Sequence, residues 1–317
     1  MNEEKLLIIG GSGFLGSHFI KYTLKKYPYI KIFNYDSLLI GDVQNLSESL
    51  KDDERYKFVQ GDIKNVDNIE EIIKSYQIDI IINFAVEYNY EDAKESLLGF
   101  ETNAIGVLNL LFLIKKYNLK LLQISTAQIF GSRDYDDSTE ESKFSPNNLY
   151  AASKASGNLV CQAYIESYNV KVMVANICHI MGTYQSTDHI IPQFIINALH
   201  DKKLQIKNDG LNMREWMYVD DSSRGIDILL ERGVWGESYN MGSNIRKADL
   251  DLANIILKKL NKPESLIEHV VDIKTTNNKY SINSDKLKGL GWEPVFDFDQ
   301  AINRLIEWYS DESNFTK

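Results

Sequence analysis

The chain predicts an α/β fold. A doubly wound parallel sheet carries residues 1–177, and a smaller α/β domain follows over 178–317. Through the first 175 residues, short apolar runs alternate with longer segments of helical spacing, the pattern of repeated βαβ units. The apolar runs are rich in Ile, Leu and Val without polar alternation, as strands covered on both faces require. A glycine cluster separates the first run from the first helical segment, where such folds turn sharply.

In order, the expected strands are Leu6–Ile9, Lys31–Tyr35, Tyr56–Gln60, Asp79–Ala85, Leu119–Ser125 and Lys171–Ile177. Between them, Leu15–Lys26, Ile69–Tyr76, Thr102–Tyr117 and Tyr150–Tyr168 place apolar groups at helical spacing. Beyond residue 178 the pattern loosens into polar loops such as GTYQSTDHIIP and KNDGLNMREW, with a last helix at Asp299–Ser310. No Pro-rich linker or repeat divides the two parts, so they are expected to share an interface, and some later segments to return to the first sheet.

A net charge of −10 over 317 residues argues against a nucleic-acid binder, which needs a surplus of Lys and Arg. It leaves room for a small phosphorylated substrate held by one or two cations. Cys161 and Cys178 have no metal-ligand spacing and lie in apolar runs, so buried free thiols and no metal are expected. MNEEKLLIIGG sets acids before a short apolar strand, unlike a secretory signal. No apolar run approaches the roughly 18 residues that span a bilayer. A reduced, cytoplasmic setting without a membrane partner is expected.

IIGGSGFLGSH places Gly10, Gly13 and Gly16 in a G-x-x-G-x-x-G spacing after the first strand. Such glycines let the backbone approach a pyrophosphate, and the helix beginning near Phe14 and Leu15 offers its free N–H groups to the phosphates. A structural turn is the plainer reading of the glycines alone. Asp36 raises the Rossmann-type reading: it ends the second strand twenty residues beyond Gly16, where an acid binds the adenosine ribose hydroxyls and repels a 2′-phosphate. NAD is therefore expected. Asp62 and Ile63 follow the third strand, where Asp62 sits beside the adenine or serves as a helix N-cap. Phe84 and Ala85, at the end of the fourth strand, complete the expected cofactor contacts.

Tyr150 and Lys154 stand four apart on a helical pattern and share a face. A phenol titrates near 10, too high for a base at neutral pH, but an adjacent ammonium favours the phenolate. An ordinary helix pair is the alternative. Thr126 weighs against it, because it ends a strand at the carboxyl edge of the sheet, where ligands of doubly wound folds bind. Thr126, Tyr150 and Lys154 are thus the expected catalytic set.

Taken together, these residues resemble the extended short-chain dehydrogenase/reductase family, and more narrowly its nucleotide-sugar epimerases and dehydratases. FAVE (Phe84–Glu87), ETN (Glu101–Asn103), MREWMYVDD (Met213–Asp221), SYNMG (Ser238–Gly242) and LGWEP (Leu290–Pro294) extend the resemblance nearly end to end, with an overall pattern most like the dTDP-glucose 4,6-dehydratases. The resemblance implies an NAD held through the cycle, transient oxidation of a sugar hydroxyl at C4, a nucleotide-diphosphate sugar as substrate, and a homodimer or larger homo-oligomer paired through Thr102–Tyr117 and Tyr150–Tyr168.

The chain departs from the dehydratases at one decisive place. Their strand tip carries Asp-Glu after the catalytic threonine, and here those positions are Ala127 and Gln128. A methyl donates no proton, and an amide has no protonation equilibrium near neutral pH. A dehydrogenase, keto-reductase or 4-epimerase is therefore expected ahead of a dehydratase, with a non-catalytic NAD-binding scaffold as the reading from another class. Substrate contacts are expected from Glu87, Thr126, Ala127, Gln128, His179, Arg214 and Lys279. Arg214 is either a phosphate clamp or a rim salt bridge, and His179 a substrate contact or a satisfied polar group. Glu87 touches a sugar hydroxyl or only orients its loop. The basic cluster near the phosphates is reduced to Asn278-Lys279 before Tyr280.

Overall fold

Seven parallel strands form the main sheet, and their order explains why the inner ones are buried on both faces. The computed structural model describes residues 3–42, 45–46, 50–88, 93–132, 136–272 and 279–315. The strands are β1 (Lys5–Ile9), β2 (Lys31–Asp36), β3 (Tyr56–Gln60), β4 (Ile80–Asn83), β5 (Lys120–Thr126), β6 (Lys171–Ile177) and β10 (Ser238–Met241). They lie in the order β10-β6-β5-β4-β1-β2-β3, with every pairing parallel. The order reverses between β1 and β4, the point at which doubly wound sheets open a crevice at their carboxyl ends.

Helices cover both faces. On one side Phe19, Ile20 and Leu24 of α1 (Phe14–Lys26) join Ile226 and Leu229 of a later helix over the sheet. On the other, Ile69, Ile72 and Ile73 of α2 (Val66–Tyr76) pack with Leu110, Leu113 and Ile114. These last belong to a continuous helical stretch made of α3 (Ala93–Phe100), a π turn (Glu101–Ile105) and α4 (Gly106–Tyr117). Against expectation, Lys94–Tyr117 is long and apolar enough to cross a membrane by length and composition alone, but half of its apolar window is buried inside the fold, which supplies the reason for its apolarity. Next to it lies α5 (Leu149–Tyr168), whose Asn148 cap accepts from Ala151 N at 2.8 Å.

At Cys178 the chain leaves the main sheet, and β7 (His179–Met181) begins a second one. There β9 (Met213–Tyr218) pairs with β7, β11 (Arg246–Ala248) and β13 (Lys279–Tyr280), while β8 (Leu204–Lys207) pairs with β12 (Ile267–Val270). A third apolar cluster joins these strands to α6 (Ile190–Leu199), α8 (Asp249–Lys259) and α9 (Phe298–Tyr309). Between β9 and β10, α7 (Val219–Arg232) returns to pack on α1, and β10 then pairs with β6. The fourth strand stops at Asn83 rather than Ala85: Phe84 N bonds Ile9 O, and Asn83 Oδ1 accepts from Ala85 N, turning the chain out into the crevice.

Candidate functional site

A cleft of about 1550 Å³ runs along the carboxyl ends of the strands and is closed on its far side by the second sheet. At its cofactor end Gly10 adopts φ +74°, and a Cβ there would stand 2.6 Å from Ala85 N; one at Gly16 would stand 2.6 Å from Gly10 O. Packing thus demands both glycines. Gly13 is different: a Cβ there meets only Gly10 O, at 3.4 Å. Its missing side chain clears the cleft at the N-terminus of α1, where no acid occupies the first turn and the helix dipole favours an anion.

Asp36 sits beside this turn, buried, with its oxygens accepting from Ser12 N and Leu38 N at 2.8 Å each. Burial pushes its carboxyl above the usual range, and the backbone N–H groups act in the opposite sense. Phe14, Leu15, Asp62, Ile63, Phe84 and Ala85 also line this end. Asp62 is not the cap of α2: Asn65 is, accepting from Asn68 N, while Asp62 accepts from Lys64 N and stays half-exposed to the cleft. These groups fit a dinucleotide: a clear turn for phosphates, a carboxylate for the ribose and apolar walls around it.

Further along, Thr126, Tyr150 and Lys154 all line the cleft. Lys154 is 5 % exposed; its amine donates to Ile124 O at 2.8 Å and is lowered by burial to a pKa of about 8. Thr126 caps the short turn Ala127–Phe130 by accepting from Gln128 N at 3.3 Å. That turn corrects one expectation. It winds Ala127, Ile129 and Phe130 into the core, so the Ala127 methyl packs in the main cluster and does not line the cleft. Gln128 does line it. Its Oε1 accepts from Asn148 at 3.4 Å, and its Nε2 is 3.4 Å from His179 Nε2.

His179 is paired in register with Trp216, and its ring is tilted against Trp216 and Tyr280. Removal from water, with the Arg214 charge adding to it, lowers its pKa to about 3, so the imidazole is neutral. Glu87 is buried in the cleft wall, its Oε1 accepting from Tyr88 N. Arg214 faces the cleft and is ion-paired with Asp249 at the start of α8; it is both a cleft cation and a salt bridge. Lys279 is the second correction. Strand alternation turns Tyr280 into the cleft and Lys279 onto the exposed opposite face. Asn278 lies outside the described residues.

One residue of the site escaped the sequence reading as an actor. Asn103, inside the π turn, accepts from Glu87 N at 3.0 Å and donates to Glu87 O at 2.7 Å and to Ser153 Oγ at 3.0 Å. It fastens the cleft loop after β4 to α5. Its only sequence signal was the ETN motif, whose meaning depends on a π turn that spacing does not reveal.

A glycine turn opening on a helix, an acid ending β2, and a Thr/Tyr/Lys set in the cleft at the strand ends together define a Rossmann-fold short-chain dehydrogenase/reductase site. Comparison with known proteins narrows this. The family model described as GDP-mannose 4,6 dehydratase matches residues 7–305. The low-salt glycan biosynthesis protein Agl12 of Haloferax volcanii is 32 % identical over 310 residues, covering 96 % of this chain and 98 % of its own. The dTDP-glucose 4,6-dehydratase of Bacillus anthracis, solved in complex with NAD, superposes with a TM-score of 0.93 at 37 % identity, covering 98 % of both chains. DesIV of Streptomyces venezuelae, a dTDP-glucose 4,6-dehydratase solved with NAD and TYD bound, gives 0.93 at 32 % identity, covering 98 % of this chain and 99 % of that one. The chain belongs to the NAD-dependent nucleotide-sugar epimerase/dehydratase group of the extended short-chain dehydrogenase/reductase family.

Proposed function

We propose that the protein transfers hydride between C4 of a nucleotide-linked hexose and NAD: as a 4-epimerase it oxidises the C4 hydroxyl and returns the hydride, as a 4-dehydrogenase it releases the 4-keto sugar and leaves NADH, and as a keto-reductase it runs that step in reverse from NADH. The strand tip carries this reading. Thr126 reaches the cleft with Tyr150 and Lys154, while the two positions that follow supply a methyl turned into the core and an amide. Gly10, Gly13, Gly16 and Asp36 would hold NAD, which when bound supplies a hydride acceptor beside the sugar. Tyr150 takes the hydroxyl proton. The buried Lys154 ammonium favours the phenolate, and Thr126 orients the sugar oxygen. Arg214 clamps a phosphate through the N–H groups left over from Asp249. Gln128, fixed between Asn148 and His179, exchanges no proton near neutral pH, and neither does a His179 held neutral. Acid–base steps contribute roughly 10²–10⁴-fold each, so elimination at this tip should be slow while oxidation proceeds.

The second reading is a 4,6-dehydratase, favoured by the names of the relatives above. In it Glu87, already buried in the cleft wall, would act in elimination. Incubation with dTDP- and UDP-hexoses, followed by mass spectrometry and NMR of the sugar, separates the two. Epimer or 4-keto sugar without loss of water is expected, and a 4-keto-6-deoxy product would overturn the preference.

A homodimer belongs to the same proposal. Ile105, Phe112 and Leu159 stand about half exposed on the helical stretch through α4 and on α5, an apolar face suited to a second copy of the chain.

A further inference from the structure

One face of α1 meets the segment after β7 residue by residue. Phe14, His18 and Lys21 are spaced i, i+4 and i+7 and form one stripe of the helix. The Phe14 ring closes on Gly182, where a Cβ would stand 2.8 Å from its Cε2. His18 Nε2 lies 3.0 Å from the Thr183 carbonyl oxygen and 3.2 Å from Thr183 Oγ1. A carbonyl only accepts, so Nε2 carries the proton and donates. Lys21 Nζ sits 4.1 Å from the centre of the Tyr184 ring, which the His18 ring also meets edge-on at 5.7 Å. On its other side His18 Nδ1 is 3.6 Å from Asp220 of α7.

The two sides of this contact serve different ends of the cleft. α1 begins at the cofactor end with Phe14, Leu15 and Gly16. Residues 184–191 all line the cleft and lead into the N-terminus of α6. Tyr184 holds φ +62°, a left-handed conformation that a tyrosine keeps only when tertiary contacts impose it. The contacts that impose it come from α1 and from Trp308, whose ring stands 5.4 Å away.

We propose that His18 is a positioning residue that couples cofactor binding at α1 to the wall formed by residues 184–191, so that NAD and the nucleotide part of the substrate strengthen each other's binding. This rests on the nucleotide-sugar reading above. Anything that fixes α1 through its N-terminal N–H groups fixes the His18 donor. That donor fixes Thr183, and with it the backbone entering the wall. Such coupling is reciprocal between the two ligands.

The test follows the rate at which NAD leaves the holoenzyme, with and without saturating dTDP or UDP. In the wild-type protein the nucleotide is expected to slow release by about fivefold or more. In His18→Ala that ratio should fall close to one, and His18→Gln, whose Nε2 reaches the same carbonyl, should restore it. Lys21→Ala, a partly exposed change, should lower the ratio in the same direction even if His18→Ala fails to fold. An unchanged ratio in His18→Ala overturns the proposal, as does a His18→Gln that behaves like the alanine variant. If direct titration finds that neither nucleotide binds the wild-type holoenzyme, the nucleotide-sugar reading falls, and this coupling with it. If they bind without slowing NAD release, the coupling alone falls.

Discussion

Lys154 offers a measurement in which the chemistry of the site appears as folding stability. Its ammonium, buried against Ile124 O, titrates at about 8 instead of 10.5 because burial disfavours the charge. In the unfolded chain the ordinary value returns. Between these two values the unfolded chain holds a proton that the folded chain has released. Folding stability from this residue therefore rises with pH through that window, and the penalty is fully present below it. At 1.36 kcal/mol per pKa unit, the gain levels off at about 3 kcal/mol. The perturbation is Lys154→Met, which keeps a long side chain and cannot titrate. Urea unfolding of both proteins, stripped of NAD, at about pH 7, 8.5 and 10 covers most of the window. Titration of the other lysines and the tyrosines cancels in the difference, so wild-type stability relative to the variant should climb by about 2.5 kcal/mol between the first and last of these. A difference flat with pH would refute the lowered titration of the buried Lys154 ammonium.

Other consequences are more direct. Tyr150→Phe should lower turnover by roughly 10²–10⁴-fold while NAD still co-purifies, as read by progress curves and absorbance of the released cofactor. Asn103→Ala strands buried backbone groups of Glu87, at about 1–3 kcal/mol for each group left without a partner, which thermal unfolding would show as a lowered midpoint. Asp36→Ala should weaken NAD binding and reduce discrimination against NADP, both measurable by calorimetric titration. Phe112→Asp should shift sedimentation toward the monomer; an unchanged oligomer would remove α4 from the proposed interface.

The first six strands were legible because each centres on a short run of Ile, Leu, Val, Met or aromatic residues between helical segments, even in β3, which lies at the sheet edge and is only partly buried. The fourth was read too long because Phe84 and Ala85 are also sheltered, by the cleft rather than by sheet neighbours. The later strands were hidden. His179–Met181 and Arg246–Ala248 are three residues each, too short for a periodicity, and they exist only through pairing with β9. Helix α3 was missed because the apolar spacing slips at the π turn.

In the site, spacing alone placed Gly10, Gly13, Gly16, Asp36, Tyr150 and Lys154, since each depends on one turn or one helix. What spacing could not reach were pairings between distant segments: Arg214 with Asp249, and Gln128 with Asn148 and His179. Ala127 and Lys279 were misplaced for a related reason. Facing is decided by a turn in one case and by the register of a two-residue strand in the other.

The return of β10 to the main sheet bears on how the chain acquires its structure during synthesis. Until Met241 has emerged, β6 is an open edge of a nearly finished, apolar sheet, with unpaired N–H and C=O groups that invite pairing with another chain. Residue 241 comes 64 positions after residue 177, an interval of roughly 3–13 s at ribosomal rates of 5–20 residues per second. Through that interval the nascent chain has to shelter the edge by other means, through chaperones or provisional contacts. A chain ending at Ile177 would never close it, and should collect in the insoluble fraction despite containing every glycine and carboxylate of the dinucleotide end.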